Sequence, residues 1–175
     1  MQLIYDFGIS IKEYIALGTE NLFPSLDSCP ICTARVPLLR HGFYWRYVSG
    51  LDYEDRIPIC RLKCPSCQRT ISFLPACLLP YFQYDFSSIV KALTFWFKEK
   101  RTLVSRQLLL FYRKRFKAQL SKLIFFFRDQ DSRDSWPSEE IEKAIKILDL
   151  VCAFPKANTL NEGCQIQINQ YFMAH

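Results

Sequence analysis

Two short cysteine pairs constrain this chain more than any other feature of it. CPIC (Cys29, Cys32) and CPSC (Cys64, Cys67) each hold two thiols across a two-residue spacer, with residues 33–63 between the pairs. Such a spacer folds back so that both sulfurs face one point. Two of these knuckles supply four thiolates, the donor set of a tetrahedral Zn²⁺ site with metal–sulfur distances of ~2.3 Å. The intervening segment is long enough for a β-hairpin that returns the second pair to the first. Pro30 and Pro65 stiffen the two turns. The pattern predicts a zinc ribbon holding one zinc ion. Four protein ligands leave no open position, so the metal is structural, helping to fold a segment too small to build a deep core alone.

The remaining cysteines are Cys60, Cys77, Cys152 and Cys164. Cys60, four residues before Cys64, competes as a ligand, and Cys77 and His41 are further reserves. Apolar neighbours favour Cys60 and Cys77 as core thiols, and His41 as a strand or turn residue. The first residues lack the basic start and apolar stretch of a secretory leader. Cysteines in tight pairs without export then read as metal ligands in a reducing cytoplasm rather than as disulfides.

Length and composition fit one compact body of 175 residues, or a small module docked on a helical one. No apolar run reaches the ~18–20 residues of a membrane-spanning helix. Along the chain the period changes. Residues 1–28 read as a short helix near Ser10–Leu17 and a loop, with Leu22 and Phe23 packing on the ribbon segment. Residues 29–84 are β-like: HGFYWRYV (His41–Val48), RIPICRLK (Arg56–Lys63) and ISFLP (Ile71–Pro75) are strand candidates, the first two joined by a turn at Gly50. From residue 85 to 175 the pattern is helical. Phe86, Ile89, Val90, Leu93 and Phe97 form one stripe, capped by Asp85 or a nearby serine. Leu108, Phe111, Tyr112, Phe116, Leu120, Leu123, Ile124 and Phe127 form a second, as one helix or two across residues 103–128. A third helix comes after a linker at Asp129–Ser138, ends at Pro155, and leads to a loop and apolar strap. The fold class is therefore α+β: a small β zinc ribbon followed by a mainly helical region.

Charge is unevenly spread. Residues 91–128 carry eleven bases against one acid, and residues 29–84 seven bases against three acids, while residues 1–28 and 129–175 are acidic overall. Concentrated positive charge is the footprint of polyanion binding, although a solvated helix face looks similar. On a helix Arg106, Arg113 and Lys117 share one face, with Lys114 and Arg115 fanning to either side. These five residues, with Arg46 and Arg69 on the ribbon, are the candidate DNA contacts. Steep weakening with salt is then expected.

Catalytic patterns are thin. The chain has two histidines, His41 and His175, and no phosphate-binding glycine loop. Asp129, Asp131 and Asp134 crowd together, but their setting reads as a solvated linker. The expectation is a non-enzyme with no small-molecule substrate.

The ribbon segment resembles the zinc ribbons of bacterial insertion-sequence proteins. In those, a C-P-x-C knuckle is followed by an H-G-x-Y-x-R strand, then C-x-x-C-x-R-T and an L-P exit. Here these are Cys29, Cys32, His41, Gly42, Tyr44, Arg46, Cys64, Cys67, Arg69, Thr70, Leu74 and Pro75. Residues 29–84 are similar to a family of short zinc-ribbon proteins associated with transposons, in which the ribbon precedes a helix-turn-helix-like region. The resemblance implies DNA binding in a mobile-element setting. It leaves open a protein partner such as a transposase, docked on an aromatic face made of Phe95, Trp96, Phe125 and Phe126.

Overall fold

In the computed structural model, the described residues are 1–130, 135–153 and 173, with the side chains of Asp129 and Gln130 left aside. A four-stranded mixed sheet carries a helical layer. The strands are β1 (Gln2–Tyr5), β2 (Leu39–Ser49), β3 (Glu54–Lys63) and β4 (Thr70–Pro75), in the spatial order β1-β4-β3-β2. The helices are α1 (Ile11–Leu17), α2 (Phe86–Glu99), α3 (Arg106–Gln130) and α4 (Glu140–Ala153). The α+β class is as the sequence indicated.

β2 and β3 form the expected hairpin, paired from Ser49–Glu54 back to Leu39–Lys63. Gly50 starts the turn, its N–H donating to the Tyr53 carbonyl at 2.8 Å. A side chain there has no room: a Cβ on Gly50 would lie 2.0 Å from the Tyr53 ring. The register slips between Arg40 and Phe43, where Gly42 takes φ +77°. That is the signature of a bulge built on a left-handed glycine. β3 contains Pro58, which cannot donate to a ladder. It is tolerated because β4 pairs with β3 only over Arg61–Lys63. The Tyr14 hydroxyl of α1 donates instead to the Pro58 carbonyl at 2.8 Å.

The N-terminal segment is more than a packing loop. β1 runs parallel to β4, with Gln2 opposite Ser72 and Tyr5 opposite Pro75. Ser10 caps α1 through a reciprocal box with Glu13. Phe23 packs as expected, in edge contact with Phe7 at 5.6 Å and tilted against Phe43 at 5.1 Å. Leu22 does not pack: it is 91% exposed.

The hairpin end is joined to α2 by a polar knot. Asp85 caps α2 by accepting from the Ser88 N–H at 2.7 Å, and also accepts from the hydroxyls of Ser88 at 3.0 Å and Tyr53 at 2.7 Å. The Ser49 carbonyl accepts from the Asp85 N–H at 2.9 Å. Burial pushes the Tyr53 phenol well above its ordinary range, and the Asp85 hydrogen bond adds to this. α2 ends at Lys100, whose φ of +59° stops the helix.

α3 is one continuous helix of 25 residues. A turn within residues 103–128 therefore does not occur, and no helix-turn-helix is built inside that stretch. α2, α3 and α4 share a core of Leu93, Phe97, Tyr112, Phe116, Leu123, Ile147 and Leu148. Leu109, rather than Phe111, occupies the buried position in the first turn of α3, and Phe111 is 42% exposed. No helix among the described residues is long and apolar enough to cross a membrane.

Candidate functional site

The two knuckles are built alike. In the first, the Cys29 N–H donates to the Ala34 carbonyl and the Thr33 N–H donates back to the Cys29 carbonyl at 2.8 Å. In the second, Cys64 pairs with Arg69 in the same way, and the Gln68 N–H donates back to Cys64 at 2.9 Å. Thr33 and Gln68, each directly after the second cysteine of its pair, both take φ +59°. Each chain segment thus reverses in a left-handed turn that points two sulfurs the same way. β2 and β3 then bring the turns together.

The result is a cluster of Cys29, Cys32, Cys64 and Cys67 whose sulfurs all lie within 4.8 Å of one another. Sγ of Cys29 is 3.8 Å from that of Cys67, and Sγ of Cys32 is 3.8 Å from that of Cys64. A tetrahedron of sulfurs around a metal at ~2.3 Å has edges of about 3.8 Å. The donor set therefore fits a tetrahedral metal ion. Cys29 and Cys64 are buried, while Cys32 and Cys67 are partly exposed. The site is a closed one at the rim of a small core formed by Leu38, Cys60, Leu62, Ile71 and Phe73.

Electrostatics support thiolate ligation. Hydrogen bonds from the Cys32 and Ile31 backbone, the latter at 3.4 Å, and from neighbouring thiols lower Cys29 to about 6. Cys67 also receives a backbone hydrogen bond, from Arg69. Burial and the thiols around it nevertheless raise it to about 11. Cys29 and Cys67 move in opposite directions because neighbouring thiols at this distance share their protons and charge. A bound cation removes that competition.

The reserve ligands stay outside the cluster. Cys60 is fully buried in the adjoining core, where burial raises its thiol. Cys77 lies beside α1, and burial pushes it up to about 12. His41 is exposed on β2 next to the bulge. Cys164 and His175 lie outside the described residues, as do Asp131, Asp134 and the side chain of Asp129.

The candidate DNA contacts are not gathered on one free face. Arg113 stacks over the Trp96 ring at 4.6 Å, and Lys117 pairs with Glu140 at 2.5 Å. Arg115 lies over Phe111 at 5.0 Å and Phe82 at 5.6 Å. Arg46 donates to the Leu79 carbonyl at 2.9 Å and to that of Phe82. Arg106, Lys114 and Arg69 are exposed. The expected aromatic docking face is also divided. Phe126 is fully buried, Trp96 carries Arg113, and Phe125 is 64% exposed.

Residues 29–103 match a family model described as "Domain of unknown function (DUF6431)". The matched span opens on the first cysteine of the cluster and ends between α2 and α3. No curated protein and no solved structure matches the chain.

Proposed function

We propose that the chain is a zinc-stabilised DNA-binding protein, an accessory or regulatory factor of a mobile element that holds duplex DNA against its basic helical half. The metal is Zn²⁺, which four thiolates suit best in a reducing cytoplasm. It is a scaffold ion: with four protein ligands it has no position for water or substrate, so no catalytic step falls to it.

The observation that carries DNA binding is the charge of residues 91–128, eleven bases against one acid. Its exposed members include Arg101, Arg106 and Lys114. Phosphate contacts from such residues position a duplex without reading its sequence. The mobile-element setting rests on the motif resemblance of the ribbon alone.

The test is a zinc assay on purified chain together with a salt titration of binding to a mixed-sequence duplex. The expectation is about one zinc per chain and an affinity that falls steeply with salt. Arg106→Glu combined with Lys114→Glu weakens every duplex alike. Absence of duplex binding at low salt defeats DNA binding and turns the search to a protein partner.

A further inference from the structure

A second site lies where residues of the two edge strands, β1 and β2, meet the segment after β4, and none of the cluster cysteines lines it. A pocket of about 390 Å³ there is lined by Gln2, Tyr44, Arg46, Tyr47, Tyr81 and Gln83. Tyr81 is the unusual member. It is 85% exposed and takes φ +69°. A bulky residue in left-handed backbone is strained, and such strain persists only where the surroundings impose it. Here Arg46 imposes it. Its guanidinium holds the carbonyls of Leu79 and Phe82, on either side of Tyr81. The loop is thereby clamped to β2 with an aromatic ring projecting into solvent.

The other lining groups suit a planar, anionic ligand. Tyr47 is 60% exposed, and Arg56 stacks on it at 4.9 Å. Gln2 uses its amide N–H on the Tyr44 hydroxyl and Gln83 uses its own on Ser49, which leaves both side-chain carbonyls to accept. Among the described residues no carboxylate lines the pocket. Aromatic faces, a positive charge, amide acceptors and an absence of negative charge are what an unpaired nucleotide requires. Its base stacks on tyrosine, its edge meets amides, and its phosphate lies in the field of the Arg46 charge while the guanidinium keeps its two carbonyls. Duplex DNA presents only base edges, so this pocket does not read it.

We propose that the Tyr47–Tyr81–Arg46 pocket binds an unpaired nucleotide of single-stranded DNA. The proposal rests on the nucleic-acid function assigned to the chain but concerns a different surface and a different form of the ligand. It is tested with the full zinc-loaded chain and a fluorescently labelled single-stranded 15-mer, with a duplex of the same sequence alongside. Tyr81→Ala weakens single-strand binding about tenfold, and Tyr47→Ala adds a comparable loss. Tyr81→Phe, which keeps the ring, stays near the original affinity. Duplex affinity and melting temperature change little, because Tyr81 is exposed. Unchanged single-strand affinity in the Tyr47→Ala, Tyr81→Ala double variant overturns the pocket while leaving duplex binding intact. Absence of binding to either form at low salt overturns both.

Discussion

Each cluster cysteine sits in a hydrogen-bonded turn whose left-handed residue is Thr33 or Gln68, neither of them glycine. Such backbone is unfavourable for ordinary residues, so the turns need something to hold them. A metal ion held by the four sulfurs, two pairs of which are 3.8 Å apart, would do so. Cys67→Ser is therefore expected to abolish stoichiometric zinc and unravel both knuckles. Cys60→Ala, which removes a buried thiol outside the cluster, retains the metal and loses about 1–2 kcal/mol to a small cavity. Metal analysis and urea unfolding of the two variants separate these outcomes. The spacing of CPIC and CPSC pointed to the four cysteines that come together, and Cys60 and Cys77, with their apolar neighbours, lie outside that cluster. A pH effect also belongs to single residues. The Cys77 thiol rises from its ordinary 9.0 to about 12, and burial raises the phenols of Tyr14 and Tyr112 in the same sense. The folded state then binds these protons more tightly than the unfolded chain, so stability falls as pH rises. It is fully present below about pH 9 and erodes from there toward 12. Urea midpoints measured between about pH 7 and 11 check this, and Cys77→Ala flattens the thiol's share.

Among elements, those with a strong local period were readable, and those fixed by distant partners were not. The hairpin strands, the Asp85 cap and the stripe of α2 follow from alternation, capping chemistry and helical spacing. β1 has four residues, and its reason to be a strand is a parallel partner far along the chain, Ser72 to Pro75. No local pattern encodes that. α3 carries no glycine or proline from Arg106 to Gln130, which favours one uninterrupted helix. Its charge pattern misleads, because arginine hides its stem while keeping its charge. Arg113 and Arg115 look solvated by sequence yet lie on aromatic rings. The N-terminal loop offers a sharp test. Phe23 meets Phe7, Tyr14 and Phe43, with Arg40 over its face at 5.6 Å, whereas its neighbour Leu22 is 91% exposed. Phe23→Ala is expected to cost about 2–3 kcal/mol, and Leu22→Ala less than about 0.5 kcal/mol. Thermal unfolding distinguishes them by several degrees.

At the scale of the whole molecule, three apolar clusters are joined unequally. The knuckle cluster and the α1 cluster share Phe7 and Phe23, so they are one continuous body around the sheet. The helical cluster of α2, α3 and α4 is larger. Polar bonds at Ser49, Tyr53 and Asp85 tie it to the sheet. Metal removal should travel along the first connection more readily than the second. Without the ion, the small core beside the cysteines loses its anchor, and β2–β4 lose the constraint that closes the ribbon. The helical cluster keeps its own buried stripe, and most helical stability comes from such packing. Chelation is therefore expected to leave most of the far-ultraviolet helical signal in place. Amide protection should collapse across Leu39–Pro75 and persist across Leu109–Leu123. Hydrogen exchange with and without chelator reads both segments in one experiment. Loss of protection throughout, with loss of helical signal, would mean instead that the Asp85 knot couples the halves into a single cooperative unit. Under the proposed division of labour, duplex contacts on α3 would then outlast the metal only if the halves are uncoupled, while single-strand binding at Tyr81, which depends on β2 through Arg46, would vanish with the metal in either case.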